Sequence, residues 1–392
     1  MSEPRVYLDH AATTPVRPEV ADAMLPYLGD ERFGNPSSAH RQGRDARDGL
    51  EQARREVADA LGVEPGEVLF TSGGTEADNL AIIGRCLAAG EAGEPMIAAV
   101  ATTEHKAVLA SAHAVTRLGG QERLLPVDRN GTLKLPDLDQ ALTERPAVVS
   151  VMWVNNETGV IQPVAEIARR TSAAGSIFHT DLVQAFGKVP VALSGGDISL
   201  ATLSGHKLGA PKGIGALVVR RGTRLVPLIH GGGQQRGLRP GTENIAGAIG
   251  LGRALQLAGR EQASESARLA RMTGDLAARL RAVVPDLVVA GEGAARAPHI
   301  LNVLVPAGRS EALVVQLDLA GIAASGGSAC STGAVEPSHV HSAMGVPSEL
   351  ALGAVRFSLG RQTTAGDVAR VAQVFPAVVA KVRKLSEALT RA

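Results

Sequence analysis

The chain has 392 residues, too many for one ordinary core and suited to one large α/β domain with a smaller companion. Its 40 basic residues oppose 39 acidic ones and aromatic residues are only 2%, which gives no case for direct nucleic-acid binding, a membrane surface or a base-stacking platform. No apolar run reaches the ~18–20 residues that span a bilayer, and Met1-Ser2-Glu3-Pro4-Arg5 leads straight into Val6-Tyr7-Leu8 without the apolar stretch of a signal peptide; a cytoplasmic location is expected.

In chain order, Val68-Leu69-Phe70-Thr71 reads as a strand and Glu76 to about Ala89 as a helix with Leu80, Ile83 and Leu87 on one face. Met96–Ala101 reads as a strand, Lys106–Leu118 as a helix, Ala147–Val154 as a buried strand and Val164–Ala173 as a helix. Ile177–Thr180 and Ala216–Arg220 read as two more strands. This alternation predicts a mostly parallel central sheet flanked by helices. Ligands in such folds sit at the carboxyl ends of the strands. Asn244 to about Val284 is helical in period and Pro285 stops it. A boundary near residue 260 divides a large domain, 14–260, from a smaller α/β domain formed by 1–13 and 261–392. The small domain would hold the strands near 300–305 and 355–357 and a terminal helix from Ala365 to about Leu389.

Several predicted strand ends carry chemistry. Ser204-Gly205-His206-Lys207 offers an amine for a Schiff base with an aldehyde cofactor, beside a hydroxyl and an imidazole suited to a phosphate. Thr71-Ser72-Gly73-Gly74-Thr75-Glu76 is a glycine-rich turn entering a helix, a ready anion site. Asp181 follows the strand that stops at Thr180, where a carboxylate could keep a pyridine nitrogen protonated; Gln184 could reach the ring's phenolic oxygen. His105 could stack on the ring and move protons. Each has an ordinary reading when taken alone: a surface lysine, an N-cap threonine, a turn aspartate, a helix-start histidine. Their agreement within one α/β domain is what points to pyridoxal phosphate.

These segments, with Thr103-Glu104-His105, Asn155-Asn156-Glu157-Thr158-Gly159, His179-Thr180-Asp181 and Arg239-Pro240-Gly241-Thr242-Glu243-Asn244, resemble the cysteine desulfurases. Those are class V aminotransferase-like, fold-type I pyridoxal-phosphate enzymes. The resemblance runs from Tyr7-Leu8-Asp9-His10-Ala11-Ala12-Thr13-Thr14 to Arg356-Phe357-Ser358-Leu359-Gly360-Arg361. It implies that Lys207 forms the Schiff base, Asp181 meets the pyridine nitrogen, Gln184 the ring oxygen and His105 the ring face. It implies that Gly74, Thr75, Ser204 and His206 bind the phosphate, joined by Thr242 from the partner subunit of a homodimer. Asn156 and Arg356 would hold the substrate carboxylate, which a planar guanidinium fits well. Leu182 stands where the family usually has a small residue, and a packing adjustment is expected there.

Of the two cysteines, Cys86 sits mid-helix in an apolar setting and reads as buried filler. Cys330 lies among small residues in Ser325-Gly326-Gly327-Ser328-Ala329-Cys330-Ser331-Thr332-Gly333, a composition that predicts a mobile, exposed loop at about 323–336. The resemblance implies that its thiolate takes sulfur from L-cysteine as a persulfide, leaving L-alanine, and passes the sulfur to an acceptor protein for iron–sulfur cluster or other thio-cofactor synthesis. The following Glu336-Pro337-Ser338 is similar to the group with a long catalytic loop. Selenocysteine lyase or a class V aminotransferase on the same scaffold are the competing activities. No His/Cys spacing reads as a metal site.

Overall fold

The computed structural model describes residues 5–326 and 336–391. The chain opens with β1 (Val6–Tyr7) and α1 (Pro18–Met24), and α2 (Arg41–Leu61) then leads into the main sheet. In α2, Ala46, Leu50, Ala53, Val57 and Leu61 recur at helical spacing and form the buried face. Gly62, at φ 68°, supplies the left-handed residue that ends the helix.

Next come β2 (Val68–Thr71), α3 (Gly74–Glu91), β3 (Ile97–Ala101), α4 (Lys106–Arg117), β4 (Gln121–Leu125) and α5 (Leu135–Leu142). They are followed by β5 (Val148–Ser150), α6 (Val164–Ala173), β6 (Ile177–Asp181), β7 (Leu200–Ser204) and β8 (Gly215–Val219). Seven strands form one sheet in the order β2-β8-β7-β6-β5-β3-β4. Only β8 runs against its neighbours; the remaining adjacent pairs are parallel. The other six strands therefore end on one edge, which brings Thr71, Asp181 and Ser204 together.

β3, β5, β7 and β8 are buried at every position, as strands covered on both faces must be. Ala98, Val100 and Val148 pack against Ile82, Val108 and Val115 of α3 and α4. The alternate residues Ala99, Ala101 and Val149 face the cluster that holds Leu50 and Val57 of α2 and Ile167 of α6.

α7 (Ile245–Val283) serves two cores: Leu251 and Leu255 join the main one, while Leu269, Leu276 and Leu280 join a second. The chain continues through β9 (Val288–Val289), β10 (Ile300–Leu304), α8 (Ser310–Leu319), β11 (Ile322–Ala323) and β12 (Ser325–Gly326). It closes with α9 (His339–Ala343), α10 (Ser348–Ala351), β13 (Ala354–Ser358) and α11 (Ala365–Arg391). β12-β13-β10-β9 form an antiparallel sheet, and β1 pairs in parallel with β11. The second core gathers Val6, Leu8, Leu301, Val303, Phe357, Val371 and Phe375.

Most elements foreseen in the sequence shift by one or two residues at their ends. The stretch 147–154 differs more: only β5 is regular strand, although Val151 N and Trp153 N still bond to His179 O and Asp181 O. Asp181 is the last residue of its strand. The structure adds α2, β4 and β7, and β7 is the strand that delivers Ser204 to the site.

Candidate active site

A cavity of about 480 Å³ opens at the carboxyl ends of the central strands. Gly74, Thr75, His105, Asn156, Asp181, Gln184, Ser204, His206, Lys207 and Arg356 all line it. The structure thus gathers every site residue expected from the sequence except two. Thr242 is exposed and lies away from this cavity, and Cys330 lies outside the described residues. A slightly larger groove of 540 Å³, lined in part by Arg54 and Gln235, holds none of these groups; the smaller cavity is where the chemistry converges.

Lys207 follows β7 in a single 3₁₀ turn, Gly205–Lys207. Its Nζ donates to Ala11 O at 2.5 Å and Ala12 O at 2.7 Å. Burial, and then the Arg356 cation, push its pKa down to about 8, against the pull of Asp181 and Asp9. The amine is therefore within reach of its neutral, nucleophilic form near neutral pH. Asp181 is pushed up to about 6 by burial, opposed by the Val183 N–H that donates to its Oδ1 at 2.7 Å and by Lys207. It remains an anion at pH 7.5 and lines the cavity. A protonated ring nitrogen is the kind of partner such a carboxylate lacks.

The phosphate end is built by backbone. α3 opens at Gly73 with no side-chain cap, so N–H groups of its first turn are left for an anion. Gly215 of β8 lets that loop approach: a Cβ there would stand 2.7 Å from Gly73 Cα and 2.5 Å from Leu203 O. His206 bonds through Nδ1 to Thr13 Oγ1 at 3.1 Å. Burial, then Lys207 and Lys212, push it down to about 4, so it is a neutral imidazole at neutral pH. These uncapped N–H groups and the hydroxyls of Thr75 and Ser204 fit the phosphate of pyridoxal phosphate, as Lys207 and Asp181 fit its aldehyde and ring nitrogen.

At the other end Arg356 is 7% exposed. Its Nη2 donates to Asp9 Oδ1 and its Nη1 to Asn156 O, each at 2.8 Å, while its buried Nε has no partner. A planar guanidinium that lines the cavity suits a substrate carboxylate. His105 caps α4, accepting from Ala107 N through Nδ1 at 3.1 Å. Burial, then Lys207 and Lys106, push its pKa down, so the ring is neutral, with Nδ1 accepting and its hydrogen on Nε2.

Some contributors were not singled out from the sequence. The segment 9–14 touches four site residues: Asp9 bonds Arg356, Ala11 bonds Lys207 and Gln184, Ala12 bonds Lys207, and Thr13 bonds His206. It had been noted only as part of a resembling stretch, and nothing in its spacing reveals these contacts. Asp78 and Glu104 are both fully buried near Asp181, and burial with the charge of Asp181 pushes each well above the ordinary carboxylate range. Burial thus disfavours the charged form of both beside Asp181. Behind them His179, pushed down to about 3 by burial, bonds Ser150 Oγ at 2.8 Å and Thr202 Oγ1 at 3.0 Å. Glu157 accepts from Ser338 Oγ at 2.5 Å, and burial pushes it up to about 7. Cys86 is fully buried in α3, its thiol pushed up to about 12 by burial. Leu182 is also fully buried, in the main core.

A lysine of lowered basicity and a buried carboxylate, set at the strand ends of a seven-stranded α/β sheet, define an enzyme site prepared for an aldehyde cofactor. The model of the aminotransferase class V family matches residues 6–371. A cysteine desulfurase IscS of Dictyoglomus turgidum is 42% identical over 381 residues, covering 97% of this chain and 96% of that protein. Cysteine desulfurase NifS of Azotobacter vinelandii is 46% identical over 384 residues, covering 97% and 94%. Among solved structures, a NifS-like protein superposes with a TM-score of 0.87 at 33% identity, covering 97% of this chain and 99% of its own. The structure described as SspA in complex with cysteine gives 0.79 at 32% identity, covering 90% and 98%. This chain belongs to the class V aminotransferase family and, within it, to the cysteine desulfurases.

Proposed function

We propose that the protein is a pyridoxal-phosphate-dependent cysteine desulfurase that moves sulfur from L-cysteine onto Cys330 and releases L-alanine. The observation that carries this is the cavity itself: Lys207, made less basic, lines it together with the Asp181 carboxylate and the Arg356 guanidinium, and both act on its charge. Within a family of cysteine desulfurases, that arrangement suits an α-amino acid.

When bound, pyridoxal phosphate supplies an electrophilic carbonyl and a ring that takes up the electron pair left by α-proton removal. Asp181 would hold the proton on the ring nitrogen. Arg356 and Asn156 would orient the substrate carboxylate. Lys207, neutral near pH 8, would take the α-proton at Nζ, and His105 would move a proton at its free Nε2. Cys330 as thiolate would attack the substrate sulfur: the new S–S bond forms as the substrate C–S bond breaks. In sum, L-cysteine and a thiol give L-alanine and a persulfide, with no external oxidant or reductant.

The persulfide would pass to an acceptor protein for cluster or thio-cofactor synthesis. Thr242 is exposed and off the cavity in one chain, so its phosphate role calls for a homodimer. No helix among the described residues is long and apolar enough to cross a membrane. A cytoplasmic, reducing compartment suits a reaction that needs a free thiol. The test is alanine release from L-cysteine, with and without a 2-oxo acid, and from L-selenocysteine, in wild type and Cys330→Ala. Release from L-cysteine that needs no 2-oxo acid and is lost in the variant supports the reading. Full turnover of L-cysteine by the variant, or dependence on the 2-oxo acid, would overturn it.

A further inference from the structure

His299 stands just before β10 and is 1% exposed. Its Nε2 lies 3.2 Å from Gln184 Oε1, and the Gln184 Nε2 donates to Ala11 O at 2.9 Å. The donor pattern follows from one fixed point. Ala11 O is a carbonyl and can only accept, so the Gln184 NH₂ must face it. Gln184 Oε1 must then face His299, and His299 Nε2 must carry a hydrogen. The reversed amide would set Gln184 Oε1 against Ala11 O, two acceptors in a buried place.

One hydrogen of the Gln184 NH₂ is used by Ala11 O, and Gln184 lines the cavity. The other hydrogen remains for a ligand. The Gln184 Oε1 acceptor keeps the ring hydrogen on Nε2, and Nδ1 is buried without a partner. Lys188, Arg356 and His10 are the charged or titratable groups that act on it, and with burial they disfavour a second proton.

We infer that His299 is a positioning residue that holds the Gln184 amide with an N–H directed into the cavity. This rests on the reading that the cavity binds pyridoxal phosphate and that Gln184 meets its ring oxygen. His299 reaches across from the β10–β13 sheet to a residue of the main domain, so the cofactor's ring would be gripped partly through a side chain that never touches it.

An N–H donated to the ring oxygen favours its deprotonated form. The experiment is a pH titration of the visible absorption band of the holoenzyme for wild type, His299→Leu, His299→Gln, Gln184→Ala and the Gln184→Ala/His299→Leu double variant. Loss of one hydrogen bond's worth of orientation predicts an upward midpoint shift of about half to one pH unit in His299→Leu. His299→Gln retains a donor of similar reach and returns the midpoint toward wild type, which also guards against a folding defect in the leucine variant. Gln184→Ala shifts it as much, and adding His299→Leu to Gln184→Ala shifts it no further. An unchanged midpoint in His299→Leu, or an equal added shift in the Gln184→Ala background, would overturn the inference while leaving the cofactor reading intact. A wild-type protein reconstituted with pyridoxal phosphate that shows no visible band would overturn both.

Discussion

The basicity of Lys207 can be tested before any turnover is measured. Burial, then Arg356, bring its pKa from the ordinary 10.5 down to about 8. That corresponds to about 3 kcal/mol against the charged form. At pH 7.5 about a quarter of the amine is then neutral, against about one part in a thousand for an ordinary lysine. Only the neutral amine adds to an aldehyde, so the rate at which cofactor-free protein takes up pyridoxal phosphate should climb with pH and level off just above 8. Two substitutions should move that midpoint in opposite directions. Arg356→Gln removes a cation that expels the proton, and the midpoint rises. Asp181→Asn removes the anion that retains it, and the midpoint falls. Rapid-mixing absorbance across pH 6–10 reads all three curves. A wild-type midpoint near 10, or both variants moving the same way, would refute this account of how the site prepares its amine.

Glu157 has a folded pKa of about 7 against an ordinary 4.5. Between these values the folded chain keeps a proton that the unfolded chain has lost, so stability falls as pH rises, by up to about 3 kcal/mol above pH 7. Glu157→Gln should raise the melting temperature at pH 8 and leave it nearly unchanged at pH 4.5. Arg17 is 8% exposed in its side chain and is paired with Glu261 at 2.6 Å. Glu261→Ala should cost about 2 kcal/mol in denaturant unfolding, because it leaves a buried guanidinium with less compensation. The Cys86 thiol, buried and pushed up to about 12, should resist alkylation in the folded protein and react only after denaturation, as mass spectrometry of iodoacetamide-treated protein would report. Arg356→Lys keeps the charge but loses the planar fork; KM for L-cysteine should rise by about tenfold or more with a smaller effect on kcat.

The central sheet was legible because its strands are short apolar runs punctuated by glycine and polar turns. Val164–Ala173 is found as read, and the other foreseen helices shift only at their ends. The reversed direction of β8 was not legible, since Gly215–Val219 has the same apolar character as its parallel neighbours. β7 was hidden because Leu200–Ser204 is short and runs directly into the 3₁₀ turn Gly205–Lys207. The residues that line the cavity could be read because Lys207, Asp181, Ser204 and Thr75 all stand at strand ends or helix starts, where α/β folds bind ligands. Asp9, Ala11 and Thr13 could not, for they act through long-range contacts and two of them through backbone or a single hydroxyl. His299 is likewise silent in sequence. Its meaning appears only when β10 is folded against the loop after β6. Asp78 and Glu104 look like surface acids at a helix start, and only their burial beside Asp181 shows that their charged forms are disfavoured.

The central claim is that a cysteine thiol of this chain takes sulfur from the substrate. The most direct measurement is a single-turnover incubation of holoenzyme with L-cysteine, quantifying L-alanine and the mass added at Cys330. The account predicts one alanine per active site, a persulfide at Cys330 and none at Cys86, and loss of both products in Cys330→Ala. Alanine formed in full by Cys330→Ala, or alanine without sulfur on Cys330, would contradict it.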